Sequence, residues 1–163
     1  MLILKWLLIG GAVLALAVII AGRLGLLQGS APADLGVRDG RLKPPSLSPN
    51  SVSSQAQLHP AHPRREQAQI APLRYEDDGA AAMTRLEALV AATSGARIIN
   101  KRNPDYLYVA YTTSLLRFVD DVEFWLDPVG GVIHVRSASR VGQSDFGANR
   151  ARIEALRAKF EPR

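Results

Sequence analysis

The chain has 163 residues, a net charge of +5 and no cysteine. That length holds one domain of about 100 residues plus appendages, and the missing cysteines exclude disulfides, thiolate nucleophiles and cysteine-based metal sites. The charge is segregated: residues 105–131 carry a net of −4 and residues 132–163 a net of +4. Neighbouring segments of opposite sign pair with each other, whereas a nucleic-acid binder leaves a basic face uncompensated, so no nucleic-acid partner is expected.

From Trp6 to Gly22 no side chain is polar, and Lys5 and Arg23 bound the run. At ~1.5 Å per residue the run spans about 26 Å, close to a hydrocarbon core of about 30 Å. Leu2–Leu4 and Leu24–Leu27 extend it, with the two bounding cations able to snorkel. No apolar stripe alternates with a polar one, as a helix on a soluble core would require. Residues 1–27 are therefore expected to form a single-pass transmembrane anchor. The competitor is a cleaved signal peptide with Ala31-Pro32-Ala33 as its site, against which the run exceeds the ~7–15 apolar residues of such a leader. Arg23, Arg38, Arg41 and Lys43 argue for a cytoplasmic domain, while the signal-like position of the run argues for export; the reading leans to the extracytoplasmic side of an envelope membrane.

Residues 28–66 are rich in Pro, Ser, Gly, Ala and Gln, and read as an extended tether. Within it Ser48-Pro49-Asn50 has the chemistry of a turn. The globular domain is expected over 67–163. A short strand over Gln69–Tyr75 leads to a helix capped by Asp77 or Asp78 and running to about Thr93, with Met83, Leu86, Leu89 and Val90 on its buried face. Gly95 closes that helix. Strands follow over about 96–102, 105–113, 117–126 and 132–139, the last two joined by Asp127-Pro-Val-Gly-Gly131 with a glycine at positive φ. A final helix starts at Ser144 or Asp145 and turns Ile153, Leu156 and Phe160 inward. This order predicts an α+β fold, an antiparallel sheet of four to five strands with two helices packed on one face.

Alternation separates the two faces of the last hairpin. Phe118, Val122, Phe124 and Leu126 share the apolar face with Ile133 and Val135, and the opposite parity collects Asp121, Glu123 and Trp125 with His134, Arg136 and Arg140. The register that aligns the apolar sets puts Glu123 opposite or diagonal to Arg136, and Trp125 near His134. Asp120 falls on the apolar parity and needs a partner, for which Arg117 or a backbone amide is expected. One reading makes Asp120, Asp121 and Glu123 structural ion pairs on a solvated sheet face. A second makes Arg136, Ser137, Ser139 and Arg140, with Asn149 and Arg150 of the last helix, a site for a small anion or a protein partner at a helix amino terminus; Asp145 opposes it if it already caps that helix. A third uses Asp120, Asp121 or Glu123 as hydrolytic carboxylates, with Arg136 and Arg140 holding an anionic substrate, although adjacent arginines should keep Asp121 and Glu123 ionised. His134 reads as a packed sheet histidine and Tyr106, Tyr108 and Tyr111 as half-buried strand residues. His59 and His62 stand in the tether without carboxylates nearby. No metal and no cofactor are expected.

The motifs Phe118-Val-Asp-Asp-Val-Glu-Phe124, Val135-Arg-Ser-Ala-Ser-Arg-Val-Gly142, Ser144-Asp145, Gly147, Asn149-Arg150 and Arg152-Ile-Glu154 resemble the bacterial and plastid family called domain of unknown function 1499. The resemblance covers about residues 35–160, including the leader Ser48-Pro-Asn-Ser-Val-Ser-Ser-Gln55, and it implies no particular reaction. The family pattern implies two cysteines flanking the Ser-Pro-Asn turn; Pro45 and Ser51 stand there instead, so no role of such a pair transfers. The expected protein is a membrane-anchored binding or structural module, with a hydrolase as the alternative.

Overall fold

The computed structural model describes residues 2–76, 78–102 and 104–161. Helix α1 (Leu2–Arg23) is the apolar run, and it is long and apolar enough to cross a membrane. The remainder is an α+β fold: strands β1 (Ser51–Ser53), β2 (Leu73–Arg74), β3 (Ala96–Arg102), β4 (Tyr106–Thr112), β5 (Val119–Asp127) and β6 (Val132–Ser139), with helices α2 (Arg65–Ala68), α3 (Gly79–Ala91) and α4 (Ala148–Phe160). All six strands form one antiparallel sheet in the order β1-β6-β5-β4-β3, and β2 lies beyond β1 on the same edge of β6.

One face of the sheet carries Leu107 and Val109 of β4, Val122, Phe124 and Leu126 of β5, and Ile133 and Val135 of β6. Against it pack Ala82, Met83, Leu86 and Val90 of α3 and Ile153, Leu156 and Phe160 of α4, so both helices share that face. Burial of each large apolar side chain there contributes roughly 1.5–3 kcal/mol. Asp78 caps α3, its Oδ2 accepting from Ala81 N at 3.0 Å; Asp77, the other expected cap, lies outside the described residues. Gly95 (φ +79) turns the chain from α3 into β3 where an added Cβ would stand 2.5 Å from the Thr112 carbonyl oxygen, and Gly131 (φ +63) closes the β5–β6 turn. Both positions need glycine.

Two expectations change. The sheet has six strands, because the stretch read as a tether supplies one: β1 pairs with β6 in the register Ser51↔Ala138, Val52↔Ser137 and Ser53↔Arg136. Val52 joins the main core, and Leu42, Gln55 and Ala56 are buried too. A three-residue Ser-Val-Ser strand has no alternation to announce it; pairing with an open sheet edge makes it a strand. The strand expected over 69–75 contracts to Leu73–Arg74, preceded by the short helix α2.

Candidate functional site

The second face of the sheet carries charge, and it is covered. Glu123 stands directly opposite Arg136, and Trp125 opposite His134, as alternation requires. Yet Glu123 is 0 % and Arg136 4 % exposed. Residues 35–44 lie across this face: Leu42 packs with Tyr106 and Tyr108, and Leu35, Val37 and Trp125 surround them. The solvated sheet face is thus corrected to a buried layer, and its residues face the cost of desolvation.

Asp121 is fully partnered. Arg140 grips it through Nε at 2.9 Å to Oδ2 and through a terminal nitrogen at 2.7 Å to Oδ1, and Tyr108 donates its hydroxyl to Oδ1 at 2.6 Å. A forked guanidinium is well matched to a carboxylate in this way. Glu123 is only half satisfied. Its Oε1 accepts from the Gly36 amide at 2.7 Å and the Tyr106 hydroxyl at 2.8 Å, while Oε2 is buried without a hydrogen bond, 3.7 Å from Arg136. Burial pushes the Glu123 carboxyl above the usual carboxylate range, outweighing the Gly36 and Tyr106 hydrogen bonds and the charge of Arg136. Burial likewise pushes Tyr106 up, and Tyr108 up to about 12, so both hydroxyls act as donors.

Arg136 makes one hydrogen bond among the described residues, from Nε to the Pro44 carbonyl at 3.1 Å. Arg136 lines a cleft of about 360 Å³ between residues 43–47 and the end of β6, together with Lys43, Ser46, Asp121, Ser139 and Arg140. Lys43 reaches Asp34 at 2.7 Å in a partly exposed pair, which holds Asp34 below the usual carboxylate range. The covering segment 35–44 is fastened by Gln55, whose Oε1 accepts from Leu42 N at 2.8 Å and whose Nε2 donates to the Gly40 carbonyl at 3.0 Å. Pro45 and Ser51, on either side of the Ser48-Pro49-Asn50 turn, are buried, and Ser46 N donates to Ser51 Oγ at 2.8 Å.

Of the six expected ligand-binding residues, Arg136, Ser139 and Arg140 meet at this cleft. Ser137 and Asn149 are turned to the helix side, where the Ser137 hydroxyl donates to Asn149 Oδ1 and Asn149 Nδ2 donates to the Asn50 carbonyl at 3.1 Å. Arg150 holds the carbonyls of Gln67 and Gln69, at 3.0 and 2.7 Å. The amino terminus of α4 is already filled: Asp145 accepts from Gly147 N and Asn149 N, at 3.0 and 2.9 Å. Burial alone would raise the Asp145 carboxyl, but these bonds hold it low. Asp120 pairs with Arg152 of α4, not with Arg117 or an amide. Sequence reasoning missed Arg152, Lys43, Gln55 and the two tyrosines. The tyrosine contacts follow from the diagonal reach across β4–β5, where Tyr108 lies opposite Glu123 and Ala110 opposite Asp121.

His134 stacks on Trp125 with ring centroids 5.4 Å apart, accepts or donates with Ser54 Oγ at 3.1 Å, and is held below its ordinary value by burial. Among the described residues no cluster of three His, Asp or Glu side chains is placed to hold a metal.

A family model described as Protein of unknown function (DUF1499) matches residues 41–160, a span that runs from the leader turn through α4. No curated protein and no solved structure matches the chain.

Proposed function

We propose, for a chain that belongs to the DUF1499 family of proteins of unknown function, a single-pass membrane-anchored module that binds a small anionic group in the Arg136 cleft. The observation that carries this reading is the state of Arg136. Arg136 is 4 % exposed, sits 3.7 Å from its counter-ion and, among the described residues, hydrogen-bonds only through Nε. Arg136 lines a cleft that Arg140, Lys43 and Ser46 also line, which brings two guanidinium groups, an ammonium and a hydroxyl residue to one place where an anion can bind.

The geometry supports binding over hydrolysis. Asp120 and Asp121 are each gripped by an arginine, and Glu123 lies sealed beneath residues 35–44. A hydrolytic carboxylate must reach the proton it moves. The amino-terminal helix supports the anchor, with its apolar run ending at Arg23.

Two experiments test the reading. Full-length protein in detergent micelles is heated in rising inorganic phosphate against chloride at matched ionic strength. Ligand binding to the folded state raises the midpoint; Lys43→Gln, which touches only a partly exposed pair, should blunt that rise and leave the phosphate-free midpoint near wild type. A midpoint indifferent to phosphate sinks the anion site. Carbonate extraction of membranes should leave the chain in the pellet, and release into the supernatant contradicts the anchor.

A further inference from the structure

The antiparallel ladder fixes which loops share an end of the sheet. Thr112 pairs with Val119 and Asp120 with Ser139, so the loop 113–118 and the loop 140–147 leave the sheet at the same end. The turn 128–131 lies at the other. Helix α1 meets the first of these ends. Gly22 is buried there, so close to Leu116 that an added Cβ would stand 2.5 Å from its carbonyl oxygen. Gly29 follows against Arg140 and Val141.

Gly22 is the last residue of the apolar run before Arg23, which puts the backbone of Leu116 at the level where hydrocarbon gives way to headgroups. Around that level the chain exposes apolar side chains that have no core to join: Leu24 71 %, Leu26 72 %, Leu115 56 % and Phe146 98 %. Phe146 is the telling one. It has φ +51, a left-handed conformation uncommon for a bulky residue. Neither burial nor backbone preference accounts for phenylalanine at that position. Arg23 and Arg117 stand on the same end, where cations suit phospholipid headgroups.

We propose that this end of the domain docks on the bilayer that α1 spans, with Leu115 and Phe146 inserted in the interfacial layer. The proposal rests on the anchor reading above. A helix-linked domain held this way has a fixed orientation, and the apolar tips add interfacial burial to the anchor itself. The Arg136 cleft, lined by Ser30 and Pro32 of the segment that emerges from α1, then opens close to the headgroups.

The chain contains no cysteine, so single-cysteine variants need no prior removal of native thiols. Leu14→Cys, Leu115→Cys, Phe146→Cys and Val129→Cys, each in the full chain, are labelled with a nitroxide in vesicles of equal parts phosphatidylethanolamine and phosphatidylglycerol. Accessibility to oxygen is compared with accessibility to a water-soluble nickel chelate. The expected ratio is highest at 14, intermediate and severalfold above the aqueous value at 115 and 146, and aqueous at 129. If 14 reads deep while either 115 or 146 matches 129, docking is overturned and the anchor stands. If 14 itself reads aqueous, the anchor reading fails and docking with it. Circular dichroism of each labelled variant, matched to wild type, confirms that all four report on the folded domain.

Discussion

Arg152→Ala should be a strongly damaging change among the polar residues on the helix side of the sheet. Arg152 donates to Asp120 from one terminal nitrogen, and from the other to Asn149 Oδ1 at 2.8 Å and Ser137 Oγ at 3.2 Å. Its guanidinium also lies 4.8 Å from the centre of the Tyr111 ring. Asp120 has a side chain only 6 % exposed and Arg152 one that is 15 % exposed, so truncating the arginine strands a carboxylate away from water. Removing one partner of a buried pair costs about 3–5 kcal/mol, and the residual exposure of Arg152 argues for the lower end, about 3 kcal/mol. Asn149 is not orphaned, since Ser137 still donates to it. The reference is Lys101→Ala, which breaks a pair with Glu87 whose side chains are 49 % and 30 % exposed; such pairs contribute about 0–1 kcal/mol. Urea unfolding of the full chain in micelles, followed by near-ultraviolet circular dichroism, reads both. The double change Asp120→Leu with Arg152→Met, which removes both charges, should recover most of the loss. An Arg152→Ala protein within about 1 kcal/mol of wild type, or a double variant no better than the single one, would refute the argument from burial.

Glu123→Gln tests the sealed face. Burial raises the folded-state value of Glu123, so its contribution to stability is fully present below about 4.3, the ordinary glutamate value, and is lost as pH rises through the folded one. The amide can still accept from Gly36 and Tyr106 but cannot titrate, so the stability of wild type relative to the variant should fall between acidic and neutral pH; a pH-independent difference in melting temperature contradicts this. Gln55→Ala removes the two hydrogen bonds that fasten the covering segment and leaves a buried Leu42 amide without its acceptor, at about 1–3 kcal/mol. Hydrogen exchange at Leu42 and Gly36 should accelerate by roughly ten- to hundredfold, with the α3 and α4 amides unchanged; exchange that stays at the wild-type rate shows that something other than Gln55 holds the covering segment.

Much of the architecture is legible in the chain because it is periodic. Alternation along β5 and β6 sorts Phe124 and Val135 from Glu123 and Arg136, and a one-residue slip would turn every one of them over; the pairing of Glu123 with Arg136 follows from that alone. Three-four spacing gives the buried edges of α3 and α4, and the unbroken apolar run gives α1. These signals are local, carried by residues within a turn or a hairpin of one another.

What alternation could not supply is which second surface the polar face meets. The cover comes from residues 35–44, and its key bond, the Gly36 amide to Glu123, joins positions 87 apart. Nothing periodic marks that segment, since its contacts are made by backbone amides and carbonyls and by single side chains such as Leu42 and Gln55. Tertiary structure therefore decided that the charged face is buried, that Asp145 fills the end of α4, that Arg152 serves Asp120, and that Arg136 makes one hydrogen bond among the described residues, to the Pro44 carbonyl. Side-chain pattern determines which face a residue takes; only packing determines what that face touches.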